Sequence, residues 1–250
     1  LCALIPGEGV IEVRDTVDNY TLATRTDVGG NVGGPLRFGP EGKLLAAGIG
    51  NHVHWELMVW DWKGNQILKK GLRGVNRSSD FHPEGEGFVI GTSENTIRFF
   101  DRDGVGEGTL LEVSGQPLIV RYSADGNYLA VSFAEGGIVI IDIVAKTRAV
   151  LSERDGTTSL AWAPHGRSIV VGGADGSVTV LDRSSGKIAF DVEVHTDAVD
   201  QVAWSYDGQF IASGSEDGVV RLWDSRHGES LCKFSGWAHN LAFSRDGRSL

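Results

Sequence analysis

The sequence has little that would staple or soften a core. Two cysteines in 250 residues, Cys2 and Cys232, cannot make a disulfide framework, and their scarcity fits a reducing, cytosolic compartment. A single methionine leaves few flexible gap-fillers. No apolar run is long enough to span a bilayer, and no charged segment followed by an apolar stretch marks a leader, although the chain begins at Leu1 rather than methionine. Basic charge is also short. Twenty-three Lys and Arg face 33 Asp and Glu, and the net charge of −10 repels phosphate backbones and anionic lipid. Nucleic acid and membrane are therefore excluded as partners. What the chain does have is glycine, 35 residues of it, which excludes a long coiled coil and predicts many turns. The 41% hydrophobic content is enough for a core that needs no metal or disulfide.

Self-similarity organises the rest. Six apolar runs each close on an aspartate: IEVRD at Asp15, LMVWD at Asp61, IRFFD at Asp101, IVIID at Asp142, VTVLD at Asp182 and VRLWD at Asp224, separated by 46, 40, 41, 40 and 42 residues. A second series keeps step with the first, with glycines at 42, 85, 126, 166, 208 and 247, most of them after Asp or Glu. Glycine takes the positive φ that tight turns require, and aspartate tolerates such turns better than most residues. Between the markers lie short runs rich in Val, Ile, Leu, Phe and Trp, such as AVDQVAWS, QFIASG and GVVRLWD. Their length and alternation predict strands, about four in each unit of about 41 residues, which is the signature of propeller blades. One such sheet cannot bury both of its faces, so neighbouring copies must stack on it.

The unit from His195 to Asp224, HTDAVDQVAWSYDGQFIASGSEDGVVRLWD, resembles the WD-repeat family of β-propellers, and the resemblance runs over essentially the whole chain. It implies an all-β propeller of four-stranded antiparallel blades in a single domain, 1–250, with five complete blades and complementary terminal strands of a sixth. It also implies a structural tetrad: His195 before the first strand (a), Ser213 on the second (b), Asp217 in the b–c turn and Trp223 on the third (c). A buried carboxylate needs donors, and an indole N–H needs an acceptor. His195, Ser213 and Asp217 have the residue types of a catalytic triad too, but only the tetrad accounts for Trp223 and for a place inside a repeat. Other units depart from the pattern. The Asp217 position holds Glu8, Glu94, Glu135 and Asp175, and the Ser213 position holds Leu4, Ile90, Val131 and Val171. Those units are expected to rely on apolar packing.

Residues 1–15 align without a gap on 210–224, so the chain opens inside a second strand, and it closes just after the turn at Gly247. A closed six-bladed ring and a fragment of a larger propeller both fit; the fragment is the reading taken here.

Function follows from the resemblance: a non-catalytic scaffold that binds a protein or peptide on a propeller face. The alternatives are a docking or sensing propeller of a larger signalling enzyme, or a propeller enzyme in its own right. The face with the d–a and b–c loops should present Arg77, Asp200, Glu216, Trp237 and His239. Trp237 reads either as a rigid aromatic anchor for a partner or as a side chain packed over the adjacent blade. The aspartates recur at equivalent places, as structural use demands, and no pair of them reads as catalytic. His52 and His54, in an insertion at 51–55, could begin a metal site but have no further ligands nearby in sequence, so no metal is expected. No motif gives a basis for a cofactor.

Overall fold

Alternating apolar runs separated by Gly turns fold as hairpins. In the computed structural model the described residues are 2–7, 10–14, 22–27, 36–39, 44–50, 55–61, 63, 65–72, 76–101, 110–236, 241–244 and 249–250. They form five four-stranded antiparallel sheets and one three-stranded sheet, with no helix. Turn chemistry decides where the strands reverse. Gly85, Gly126, Gly166 and Gly208, the markers of the second series, have φ of 74, 72, 67 and 73°. That is the left-handed region a side chain avoids.

The chain divides into two compact units, Leu1–Val120 and Arg121–Leu250. The first begins with a three-stranded sheet, β1 (Cys2–Gly7), β2 (Val10–Arg14) and β3 (Leu22–Asp27). The next sheet is β4 (Arg37–Phe38), β5 (Leu44–Gly50), β6 (Trp55–Asp61) and β7 (Gln66–Leu72), followed by β8 (Asn76–Phe81), β9 (Gly87–Thr92), β10 (Thr96–Asp101) and β11 (Leu110–Glu112). Two apolar clusters join these sheets in sequence. Ile11 and Val13 pack with Ile49, Met58 and Trp60, and Leu57 and Val59 pack with Phe81, Phe88, Ile90 and Phe100. Phe100, at the position of Trp223 in its copy, stacks on Phe88 at 4.9 Å between ring centroids.

In the second unit the sheets are β12 (Pro117–Tyr122) to β15 (Thr147–Ser152), with β13 (Tyr128–Phe133) and β14 (Ile138–Asp142) between them; then β16 (Thr157–Trp162), β17 (Ser168–Gly173), β18 (Ser177–Asp182) and β19 (Ile188–Glu193); and finally β20 (Val199–Trp204), β21 (Phe210–Ser215), β22 (Val219–Asp224) and β23 (Ser230–Ser235). Burial falls off across each sheet. The second strands β13, β17 and β21 are buried on both faces except at their first and, in β13, last residue, whereas β23 is exposed throughout. The last two sheets share one core, in which Val170, Val178 and Val180 meet Val199, Val202, Ile211 and Trp223. Backbone approach there is close: a Cβ on Gly172 would lie 2.7 Å from Val199 Cγ1.

The C-terminal segment departs from the sequence reading. Residues 241–244, where the first strand of a further copy was expected, lie in no strand. The turn of that copy is nevertheless closed, because Ser244 N–H donates to the Ser249 carbonyl at 2.9 Å, as Ser205 N–H does to Phe210. No helix among the described residues is long and apolar enough to cross a membrane.

The Gly172 contact is testable. Gly172→Ala should lower stability by about 1–3 kcal/mol through overpacking, read as a shift in denaturation midpoint. Adding Val199→Ala should recover part of that loss, whereas strictly additive losses would show that the two positions do not share one gap.

Candidate functional site

Four of the six closing aspartates, Asp61, Asp142, Asp182 and Asp224, have a shown local task. Asp61 Oδ1 accepts the N–H groups of Lys63 and Asn65, Asp142 Oδ1 that of Ala145, Asp182 Oδ1 those of Ser184 and Ser185, and Asp224 Oδ1 those of Arg226 and His227. A short carboxylate at the end of the third strand thereby nucleates the c–d turn. The hydroxyls of Ser184 and Ser185 add to this and hold Asp182 at about 2. These residues are turn formers in every described copy that shows the bond; Asp15 lies outside the described residues.

In the last sheet the structure brings His195, Ser213, Asp217 and Trp223 into one chain of hydrogen bonds. Trp223 Nε1 donates to Ser213 Oγ at 2.9 Å. Ser213 Oγ lies 2.8 Å from His195 Nε2, and His195 Nδ1 lies 3.0 Å from Asp217 Oδ2. Asp217 also accepts the N–H groups of Thr196 and Val219. An indole can only donate and a carboxylate only accept, so each group is satisfied if Ser213 donates to a neutral His195, which in turn donates to Asp217. The electrostatics agree. Burial pushes His195 below its ordinary value, Asp217 opposes this, and the Arg221 charge adds to it. Burial would raise Asp217, but the Thr196 N–H, the His195 ring and the Val219 N–H together hold it low. The 3.0 Å contact is thus a hydrogen bond from a neutral ring rather than an ion pair.

This geometry does not suit nucleophilic catalysis. Ser213 is 0% exposed and its oxygen already serves both His195 and Trp223, so no substrate carbonyl can reach it. The four groups instead tie the d–a segment, the second strand, the b–c turn and the third strand together.

The preceding sheet holds a polar cluster that sequence reasoning missed, having assigned this copy to apolar packing. Arg154, in the segment before β16, donates through Nη2 to Asp175 at 2.8 Å and through Nη1 to Asp191 at 3.1 Å and Thr179 Oγ1 at 2.7 Å. Asp175 occupies the Asp217 position of its copy. The Ser177 hydroxyl first and Arg154 second hold it at about 2, against desolvation. The signal was present in the sequence: an aspartate rather than a glutamate at this turn position, with an arginine in the d–a segment. Burial accounts for the difference between the two staples, since Asp175 is half exposed and tolerates an ion pair with a long, fully charged side chain.

The docking candidates separate. The register of β8 on β9 skips Arg77, that of β16 on β17 skips Thr158, and that of β20 on β21 skips Asp200. All three are bulge residues at the head of a first strand, and a bulge re-aims a side chain out of the ladder. Thr158 is the member of this series that the sequence reading left out; its Oγ1 donates to the Val199 carbonyl at 2.6 Å. Asp200 is half-buried and Glu216 is exposed in the b–c turn beside Asp217. Trp237, His239, His52 and His54 lie outside the described residues. Trp60, Trp162 and Trp223 are buried, and Trp162 Nε1 donates to the Arg121 carbonyl at 2.9 Å. Among the described residues no group of three or more His, Cys, Asp or Glu is arranged to hold a metal ion.

Known proteins are similar to this chain in sequence and in fold. The WD domain, G-beta repeat, matches residues 146–182 and 186–224, the two copies that between them contain the Arg154 cluster and the tetrad. WD repeat-containing protein 1 of Bos taurus is 26% identical over 181 residues, covering 66% of this chain and 28% of that protein. Eukaryotic translation initiation factor 3 subunit I of Neurospora crassa is 24% identical over 159 residues, covering 56% of this chain and 45% of that protein. The chain thus spans less than half the length of either relative. Among solved structures, the β-propeller domain of Cps50 (Swd1) from Myceliophteria thermophila matches with a TM-score of 0.70 at 15% identity, over 83% of this chain and 73% of that one. At that identity the likeness shows the fold, a β-propeller.

Two outcomes follow for the staples. Ser213→Ala should cost about 1–3 kcal/mol, because it leaves the Trp223 indole and the His195 ring without their partner; equilibrium denaturation measures it. For Asp175 the folded value lies below the unfolded one, so its contribution is full above about pH 4 and fades as pH falls toward 2. Asp175→Asn should therefore lower the melting temperature at pH 6 and converge on the parent protein near pH 2; a constant difference across that range would contradict the assignment.

Proposed function

We propose, from the premise of a chain that carries WD repeats on a β-propeller fold, that it is a non-catalytic scaffold which binds proteins or peptides. WD-repeat propellers generally serve this way. Residues 1–250 are read as one propeller, working in a reducing cytosol, which the exposed thiol of Cys232 suits.

The docking face is the end of the sheets with the d–a and b–c loops. The observation that supports this choice is the bulge repeated at the heads of β8, β16 and β20, where one residue is skipped in the ladder. A rigid sheet beneath such residues holds them in place at little entropic cost on binding. Arg77, Asp200 and Glu216 would then contact the partner, with Trp237 and His239 as further contacts from the adjoining segment.

Affinity capture with the full chain tests the face. Asp200→Ala, Glu216→Ala and Trp237→Ala should together reduce partner recovery by about tenfold or more, the effect of losing a few central contacts. Lys187→Ala, in a c–d turn at the other end of the sheets, should leave recovery unchanged. Equal recovery from all variants would remove this face from consideration.

A further inference from the structure

Of the described histidines, His82, His165, His195 and His227, the buried one is His195, and its ring lies at the junction of three segments. Three bonds join the 195–198 segment to the turn after β21, besides the one from the ring. Thr196 N–H donates to Asp217 Oδ2 at 3.1 Å, Ser215 Oγ donates to the Asp197 carbonyl at 3.0 Å, and Glu216 N–H donates to the Ala198 carbonyl at 3.0 Å. The ring itself closes the set through Asp217.

The donor chain Trp223 to Ser213 to His195 to Asp217 has one direction only, because its first member cannot accept and its last cannot donate. A proton added at His195 Nε2 turns that atom from acceptor to donor. Ser213 Oγ then faces two donors, and its own hydrogen loses its acceptor in a place shut off from water. Charge balance fails as well. Asp217, from the turn, faces the ring, while Arg221 of β22 lies near enough to act on it and donates through Nη2 to the Val194 carbonyl at 3.1 Å. From the preceding sheet the Gly176 carbonyl accepts the His195 N–H at 3.3 Å. The neighbouring Asp175, and Asp191 of β19, are already paired with Arg154. An imidazolium would therefore face the Arg221 charge, with Asp217 as the carboxylate bonded to it.

We propose that His195 is a proton-operated latch: protonating it reverses the Ser213 hydrogen bond and loosens the 195–198 segment from the 216–218 turn while the strands stay folded. The pH dependence has a defined sign. Because burial favours the neutral ring, the latch is closed above the ordinary histidine range near 6.5 and opens as pH falls below it. It operates whether or not a partner docks on this face.

Imidazole NMR and amide hydrogen exchange on the full chain, from pH 8 to pH 5, test the latch. The ring should be neutral at pH 7.5 with its proton on Nδ1, and should titrate below the ordinary histidine value near 6.5. Across that titration, protection at Thr196 and Glu216, corrected for intrinsic exchange, should fall at least about fivefold, the lower end for coupled equilibria, while β21 amides keep theirs. His195→Gln, which cannot titrate, should abolish the pH dependence. A proton on Nε2 at neutral pH, unchanged protection at Thr196 through the titration, or equal loss at every amide of the sheet would each overturn the proposal; the first two need no variant.

Discussion

The second strand of each described four-stranded sheet in the second unit is buried on both faces, and that constraint governs the rest. A segment such as SIVVGG has no polar side to turn toward water, so a further sheet must cover each face. Val170 and its neighbours on one sheet therefore share a core with Val202, Ile211 and Trp223 on the next. In the first unit Leu57 and Val59 do the same with Phe88 and Ile90. Burial on this pattern is worth about 1.5–3 kcal/mol for each large side chain, more than any single hydrogen bond described above. Close approach follows from it: Gly172 stands where a Cβ would collide with Val199.

Polar staples act on top of that packing and mainly fix the loops. In the last sheet the staple is neutral and buried, with a histidine and a serine linking indole to carboxylate. In the preceding sheet it is charged and half-exposed, with an arginine joining Asp175, Asp191 and Thr179. Both join the d–a segment to a b–c turn. In the sheet of β8 to β11 the described residues include stacked Phe88 and Phe100. The last two sheets thus differ in how the same junction is satisfied and not in the strands around it. A buried junction needs complete hydrogen bonding, and an exposed one tolerates charge.

Much of the strand plan was legible because the period was short and its markers were chemical. Aspartates at 61, 142, 182 and 224 recur because each accepts turn N–H groups, and glycines at 85, 126, 166 and 208 recur because each sits at positive φ. Resemblance to the WD-repeat pattern, and not the period itself, grouped His195, Ser213, Asp217 and Trp223. Of the Arg154 cluster only Asp175 at the turn and the arginine itself left a mark in the sequence; their meeting with Thr179 and Asp191 was not legible, since the members come from the d–a segment, the b–c turn and strands β18 and β19, and no single motif spans them. The bulges at Arg77, Thr158 and Asp200 were hidden for another reason: alternation of residue types does not show where one ladder position is skipped.

By itself the sequence determined an all-β chain and the spacing of its hairpins, because local turn chemistry and strand periodicity act over a few residues, while the tetrad was implied by resemblance to the WD-repeat pattern. Tertiary structure alone decided which hydroxyl donates to which ring, that Ser213 is sealed from substrate, and that an arginine replaces the histidine device one sheet earlier. Those outcomes depend on burial and on distances between segments tens of residues apart, which no local pattern encodes.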